Sequence, residues 1–166
     1  MRYVHVEKKI RSRLDQLGLD HPDDYIRLLG SDSGEVTHLV NQITVNVSRF
    51  FRNALTFEFI ANELFPRMID QKLKQDTPCI RIWSAGCATG EEAYSIAILL
   101  REILTNRQLD WQNLFIFATD INRDILKKAQ SGLFAPEQMD NVKLGILNRY
   151  FSYKNNQYRL TRDILE

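Results

Sequence analysis

Cysteine, glycine and proline are all scarce in this sequence of 166 residues, which has 2, 7 and 4 of them. The two cysteines, Cys79 and Cys87, are separated by a predicted strand, and no histidine lies near them at the spacing of a zinc site. A disulfide framework and a metal site are therefore not expected. Reduced thiols favour a cytoplasmic protein.

An excess of charge of one sign is also missing, because 22 Lys and Arg face 21 Asp and Glu and the formal net charge is +1. This balance gives no overall attraction to nucleic acid or to a lipid surface. No segment approaches the roughly 20 apolar residues of a membrane-spanning helix. The first residues, MRYVHVEKKIRSRL, also lack the apolar stretch of a signal peptide. We expect a soluble cytoplasmic protein with one modest core or one small core beside a helical appendage.

Helical patterns dominate the first part of the chain. Apolar residues recur at helical spacing from Val6 to Leu17, a second short helix is predicted from Pro22 to Gly30, and Ser33 is the predicted cap of a third helix that reaches Ile43. These helices define a predicted subdomain over residues 1–53. A connecting helix and a polar linker follow over residues 54–78, and Pro66 must kink or restart that helix.

The pattern changes at residue 79, where strands and helices alternate. Strand, helix, strand and helix in this order predict a parallel sheet with helices on its faces. Two later runs flank a pair of asparagines and predict an antiparallel hairpin. The predicted elements of residues 79–166 are the strands 79–83 and 114–119, the helices 91–104 and 122–132, and the hairpin strands 151–153 and 158–160.

The loop after the first strand is the best candidate for a ligand site. Small residues at Ala85, Gly86, Ala88 and Gly90 let a ligand approach the backbone at the carboxyl end of the strand. Glu91 and Glu92 open the next helix, where they would repel a phosphate. A phosphate-bearing nucleotide is therefore disfavoured. S-adenosylmethionine, which carries a sulfonium and an ammonium group and no phosphate, fits better.

Asp120 ends the second predicted strand. There it can accept hydrogen bonds from the ribose hydroxyls of a nucleoside that lies across the first loop. Asp120 can equally be a helix-entry aspartate, and Glu91 or Glu92 can simply supply favourable charge at a helix amino terminus. The combination of glycine loop, glutamates and aspartate favours the cofactor interpretation.

The segment ITVNVSRFFRN, residues 43–53, places two aromatic residues beside an arginine. Phe50 and Phe51 are interpreted as buried anchors between the helical subdomain and the sheet. Arg52, held by these rings, can pair with a carboxylate of the cofactor or of an acidic substrate.

The first helix has a basic surface. Its cations are either a solvated face or a docking surface for an acidic partner helix. They are Lys8, Lys9, Arg11 and Arg13.

Residues 43–53, followed by WSAGCATGEEAYSIA and FATDI, resemble the chemotaxis receptor methyltransferases of the CheR type. The resemblance implies an α/β fold: a small helical amino-terminal subdomain, then a partial Rossmann-like parallel sheet that binds S-adenosylmethionine, with a small antiparallel hairpin near the carboxyl terminus. It also implies a set of cofactor contacts. These are Asn46, Ser48, Arg52, Ala85, Glu91 and, for the ribose, Asp120.

The activity implied by the resemblance is methyl transfer to glutamate carboxylates of chemoreceptors, with S-adenosylhomocysteine as product. Arg52 is the candidate catalytic residue, through alignment of substrate or cofactor. The partner implied is the cytoplasmic helical region of a chemoreceptor, facing the basic residues Lys9, Arg11 and Arg13. In some members of the family the hairpin grips a receptor's carboxyl-terminal peptide.

The sequence departs from the CheR pattern at both ends. One leading helix is missing, and the later asparagine-leucine and R-N-V-x-I-Y segments are absent before Glu166. We therefore expect a truncated chain whose sheet has an open edge, covered in an oligomer or by another polypeptide. The alternative function is a non-catalytic module that binds receptors or other partners.

Overall fold

A computed structural model describes residues 2–43, 48–110 and 112–165, and side-chain positions from residue 6 onward. The chain forms two compact units, residues 1–45 and 46–166. The finer division into 1–53, 54–78 and 79–166 stays a prediction. Within the described ranges, no helix combines the length and the apolar character needed to cross a membrane.

Three helices make up the first unit: α1 (Arg2–Leu17), α2 (Pro22–Ser31) and α3 (Ser33–Ile43). All three were predicted, but the cap of α3 was assigned wrongly. Ser33 is already helical, and the carboxylate of Asp32 accepts the backbone N–H groups of Gly34 and Glu35 at 2.7 and 3.2 Å. A carboxylate one residue earlier reaches the free amides of the first turn, which is the role of an N-cap.

A buried ion pair joins the three helices. The Arg13 guanidinium donates two hydrogen bonds to the Glu35 carboxylate, at 2.9 and 2.6 Å, and the Tyr25 hydroxyl donates a third at 2.8 Å. The bond from Arg13 is the main cause that lowers the pKa of Glu35 to about 2. Burial, followed by the neighbouring Glu35, raises the pKa of Tyr25 to about 12.

The second unit begins with a helix whose middle turn is widened. It consists of α4 (Ala54–Phe59), a π-helical turn (Ile60–Leu64) and α5 (Phe65–Lys72). Pro66 lies just after the widened turn and accounts for it. The proline ring cannot pack against a normal preceding turn, and proline has no N–H to donate. The predicted interruption is confirmed. The helix nevertheless extends to Lys72, three residues into the stretch 70–78 that was interpreted as linker.

A two-stranded parallel sheet carries the rest of the unit. Strand β1 (Ile80–Ala85) pairs with β2 (Leu114–Thr119) from Ile80 opposite Leu114 to Ala85 opposite Thr119, and α6 (Glu91–Asn106) connects them. One face of the sheet packs on α5 and α6. The buried residues of this core are Phe65, Ile69, Ile80, Leu100 and Leu104.

The other face of the sheet, here called the aromatic face, is defined by Trp83, Phe115 and Phe117. These side chains are 70, 46 and 53% exposed, although parallel sheets normally have both faces covered. Trp83 lies directly opposite Phe117, and the rings of Phe115 and Phe117 stack with centroids 6.5 Å apart. This face of the sheet therefore leaves apolar area open to solvent.

The chain then adds α7 (Arg123–Ser131), a second sheet and short helices. The second sheet has the order β3–β5–β4, from β3 (Leu133–Phe134), β4 (Phe151–Lys154) and β5 (Gln157–Leu160). The hairpin β4–β5 turns at Asn155 and Asn156, with φ of 51° and 57°, as a type I′ turn requires. A 3₁₀ turn (Pro136–Gln138), α8 (Leu144–Tyr150) and α9 (Arg162–Leu165) complete the unit.

Candidate cofactor site

The loop between β1 and α6 is tied to the end of β2 by its backbone. Gly86 and Cys87 both donate their N–H groups to the carbonyl oxygen of Thr119, at 2.8 and 3.0 Å, and Gly90 donates to Cys87 at 2.9 Å. The loop therefore has a fixed shape at the carboxyl ends of two parallel strands, the position where open α/β sheets bind ligands.

The two loop glycines have different roles. Gly86, with φ of 76°, has open space where a side chain would project, so a ligand can reach the backbone there. Gly90, with φ of 94°, is enclosed: a Cβ would lie 2.9 Å from a ring carbon of Tyr94 and 3.1 Å from the Cβ of Ala129. Gly90 thus lets the loop enter α6 against α7, while Gly86 and the exposed Ala85 face outward.

Asp120 follows β2 and stabilises the same loop. One carboxylate oxygen accepts the N–H of Ala88 at 2.9 Å and the other accepts the N–H of Asn122 at 2.9 Å. The cap of α7 is Asn122, as predicted; its side chain accepts the N–H groups of Asp124 and Ile125. Each oxygen of Asp120 can accept a further hydrogen bond, and the residue is only half-buried, so it can still bind a hydroxyl group.

The two glutamates at the start of α6 have opposite environments. Glu91 is fully buried, and its carboxylate accepts hydrogen bonds from the Thr89 hydroxyl, at 2.7 Å to each oxygen, and from the side-chain amide of Gln138. Glu92 is exposed and accepts the Ser84 hydroxyl at 2.7 Å. Glu91 therefore belongs to the interior of the loop, and Glu92 presents the accessible carboxylate.

Cys87 lies inside the loop and is 2% exposed. Burial raises the pKa of its thiol, and the charge of Asp120 raises it further. A thiol held neutral among carboxylates is a weak nucleophile. Cys87 therefore serves packing.

The segment that carries Arg52 lies against the same unit. Phe50 is 0% exposed and its ring packs on Phe134 and Phe151, with centroid distances of 4.8 and 5.2 Å, so its burial is confirmed. Phe51 is half-buried, has an unusual φ of 50°, and packs on Phe57 at 5.4 Å. An anchoring role of the two rings between the units stays a prediction.

The predicted contact residues of this segment are placed unequally. Arg52 is exposed and Ser48 is half-buried. Asn46 falls outside the described residues. The roles of all three in cofactor binding stay predictions.

The basic residues of α1 are less available than the sequence suggested. Arg13 is bound to Glu35, and Lys9 donates to the backbone oxygen of Gln42. Arg11 and Lys8 are exposed, and Arg11 pairs with Glu7 one helical turn away at 2.8 Å.

Sequence reasoning missed three polar residues of the site: Ser84, Thr89 and Gln138. Ser84 and Thr89 lie within the motif, and their position beside the two glutamates was a usable signal. Gln138 lies 47 residues beyond Glu91 along the chain, and no local pattern connects the two.

These features fit S-adenosylmethionine. The open space above Gly86 admits a ligand, Asp120 offers hydrogen-bond acceptors for hydroxyl groups, and Glu92 offers a carboxylate to a cationic centre. Within the described ranges, no group of acidic, histidine and cysteine side chains could hold a metal ion.

Residues 46–166 match the family described as CheR methyltransferase, SAM binding domain. This chain belongs to the CheR methyltransferase family. The SAM binding domain of the family indicates S-adenosylmethionine as the cofactor. The matched CheR region includes both sheets and the loop described above.

Individual relatives support the membership of this chain in the CheR methyltransferase family. The chain is 29% identical over 163 residues to the chemotaxis protein methyltransferase of Borreliella burgdorferi, covering 97% of this chain and 57% of the relative. It is 36% identical over 148 residues to the chemotaxis protein methyltransferase of Escherichia coli, covering 88% of this chain and 48% of the relative. The chain thus spans about half the length of the curated relatives it matches.

Proposed function

We propose that this chain contributes the cofactor-binding part of a protein-glutamate O-methyltransferase that acts on chemoreceptors. The observation that supports it most is Asp120, half-buried and fixed beside an open glycine loop. The relatives named chemotaxis protein methyltransferase supply the substrate class. Their activity belongs to proteins about twice as long, so its extension to this chain is part of the proposal.

The proposal gives each predicted residue a task. Asp120 accepts the ribose hydroxyls, and the backbone at Ala85 borders the cofactor. Asn46 and Ser48 add polar contacts. Glu91 acts from inside the loop, because its buried carboxylate holds the loop's shape through Thr89.

Arg52 is proposed to align a carboxylate, either of the cofactor or of the receptor glutamate. When bound, S-adenosylmethionine supplies an activated methyl group whose S–C bond breaks as the new O–C bond of the methyl ester forms. The glutamate carboxylate is already a nucleophile at neutral pH, so no general base is required of the chain. Alignment by a guanidinium and exclusion of water are sufficient contributions.

The proposed partner is the cytoplasmic helical region of a chemoreceptor, which also places the protein in the cytoplasm. Support comes from the exposed cations Lys8 and Arg11 on α1, since methylated receptor helices carry glutamates. Arg13 and Lys9 were predicted in the same role. Because both already bond to other residues of the first unit, we assign them a structural role there.

A second proposed association covers the aromatic face. Trp83, Phe115 and Phe117 expose apolar area that a parallel sheet normally buries. Either self-association or another polypeptide would shield it. No nucleic acid or metal partner is proposed.

The second candidate function is a non-catalytic module that binds receptors. The observation that favours it is the pair of exposed cations Lys8 and Arg11 on α1, which could bind an acidic receptor helix without any methyl transfer. Such a module would keep the basic surface of α1 and would lack turnover.

A methyl-transfer assay separates the two functions. The 166-residue chain is incubated with methyl-labelled S-adenosylmethionine and chemoreceptor cytoplasmic fragments, and base-labile label on the receptor is counted. Label that disappears when receptor glutamates are replaced by alanine supports the methyltransferase. Receptor binding without label supports the module.

A further inference from the structure

Gln138 connects three separate parts of the second unit. Its side-chain oxygen accepts the N–H of Ala135 at 2.7 Å, and its side-chain N–H₂ group donates to the carboxylate of Glu91. Its backbone oxygen accepts the N–H of Phe50 at 3.2 Å. Gln138 therefore caps its own 3₁₀ turn and connects that turn to the start of α6 and to the segment before Arg52.

The contact with Glu91 requires a hydrogen-bond donor at position 138. Glu91 is fully buried, and a buried carboxylate is tolerated only when its oxygens accept hydrogen bonds. Thr89 and Gln138 both provide neutral donors to it. The side chain at 138 must donate, because an acceptor there would face the lone pairs of Glu91.

A parallel connection supports the same segment. Phe51 donates its N–H to the hydroxyl of Ser95 at 3.1 Å, and that hydroxyl donates to the backbone oxygen of Glu91 at 2.6 Å. Two consecutive amides, those of Phe50 and Phe51, are thus connected to Glu91 by two routes. Phe51 has φ of 50°, a conformation that needs surrounding contacts to persist.

We propose that Gln138 is a positioning residue for the cofactor site. By orienting the Glu91 carboxylate and holding the amide of Phe50, it fixes the distance between the glycine loop and the segment of Ser48 and Arg52. This inference rests on the proposed function, since both parts carry proposed cofactor contacts. It assigns Gln138 no contact with the cofactor.

The test replaces the amide with an isosteric acid. Gln138→Glu puts two carboxylates in contact, which can coexist only if they share a proton. Affinity of the 166-residue chain for S-adenosylhomocysteine, measured by calorimetry, should fall about tenfold or more near pH 8 and recover near pH 5.5 as the pair takes up a proton. Gln138→Ala should lose affinity similarly at both pH values.

Gln71→Glu is the matched control, because Gln71 is exposed on α5 and the substitution changes the charge by the same amount. It should bind like the parent chain at both pH values. Equal affinity of Gln138→Glu and the parent at both pH values would overturn the proposal.

A readout without ligand separates this inference from the proposed function. Hydrogen exchange at the amides of Phe50 and Phe51 should accelerate in Gln138→Glu near pH 8, relative to Gln71→Glu at the same pH, and return to the control's rate near pH 5.5. If the chain binds no S-adenosylhomocysteine but shows this pattern, the positioning role stands and the proposed cofactor function fails. Unchanged exchange would overturn the positioning role whether or not the ligand binds.

Discussion

The carboxylate of Asp120 accepts the backbone N–H of Ala88 at 2.9 Å, so the residue that ends β2 directly supports the loop that follows β1. This structural role is compatible with the proposed ribose contact, because each carboxylate oxygen can accept a further hydrogen bond. Its other oxygen accepts the amide of Asn122, which positions the cap of α7. A ligand bound to Asp120 would therefore lie beside both βα connections of the sheet.

Gly90→Ala should destabilise the second unit by about 1–3 kcal/mol, because the backbone there has φ of 94° and the new methyl group would lie 2.9 Å from the Tyr94 ring. Thermal unfolding followed by circular dichroism measures the effect. Gly145→Ala is the control, since Gly145 lies in α8 with nothing within 4 Å of a Cβ, and it should be neutral or slightly stabilising. Equal melting temperatures for the two variants would show that the entry into α6 is not strained.

The first unit should lose stability in acid through Glu35. Its pKa is lowered from an ordinary 4.5 to about 2 in the folded chain, so the unfolded chain binds the proton more readily. The stabilisation is present above pH 4.5 and is lost as the pH falls toward 2. Glu35→Gln should remove this part of the pH dependence in denaturant unfolding curves.

Glu7→Gln is the matched control for Glu35, because Glu7 pairs with Arg11 on an exposed helix surface. Exposed pairs contribute little, so this variant should keep the acid sensitivity of the parent. Acid sensitivity that survives in Glu35→Gln would remove the Arg13–Glu35 pair as its cause.

The aromatic face should make the chain associate. We expect sedimentation velocity to show species larger than a monomer at concentrations in the tens of micromolar. Replacement of both Trp83 and Phe117 by serine should shift the population to monomer. Leu144→Ser, at a residue 71% exposed on α8, should not. A parent chain that is monomeric at every concentration would contradict self-association.

The exposed cations of α1 should matter for receptor binding. Charge reversal at Lys8 and Arg11 should weaken association with a chemoreceptor cytoplasmic fragment about tenfold and make it less sensitive to salt, because each reversal removes an attraction to acidic residues. Arg13 is unsuitable for this test, since its replacement would leave Glu35 buried without its partner. Unchanged affinity in surface plasmon resonance would exclude this face from docking.

Strong local signals made much of the second unit predictable. A signature within a few residues marks the strands β1 and β2, the hairpin β4–β5 with its asparagine turn, and the cap at Asn122. Strand β3 was missed because its two residues cannot show a periodicity. The helix α8 was also missed, because its seven residues make too few turns for a clear apolar stripe.

The site was harder to predict than the fold. The motif identified Asp120 and the two glutamates as site candidates, but it did not indicate which glutamate is buried. The buried glutamate, Glu91, accepts a hydrogen bond from Gln138, which lies 47 residues further along the chain, and no local pattern connects the two. The bound state of Arg13 likewise depends on Glu35, 22 residues away.

A titration of S-adenosylhomocysteine into the ¹⁵N-labelled 166-residue chain, followed by two-dimensional NMR, tests the assignment of the cofactor site directly, because it detects even weak binding. We expect the shift changes to concentrate at the amides of residues 85–90 and 120–122. Asp120→Ala should weaken the apparent affinity by roughly 10–100-fold through lost charge-assisted hydrogen bonds, while Asp110→Ala, at an exposed loop residue, leaves it unchanged. Shift changes elsewhere, or none at millimolar ligand, would contradict the assignment of the cofactor site to this loop.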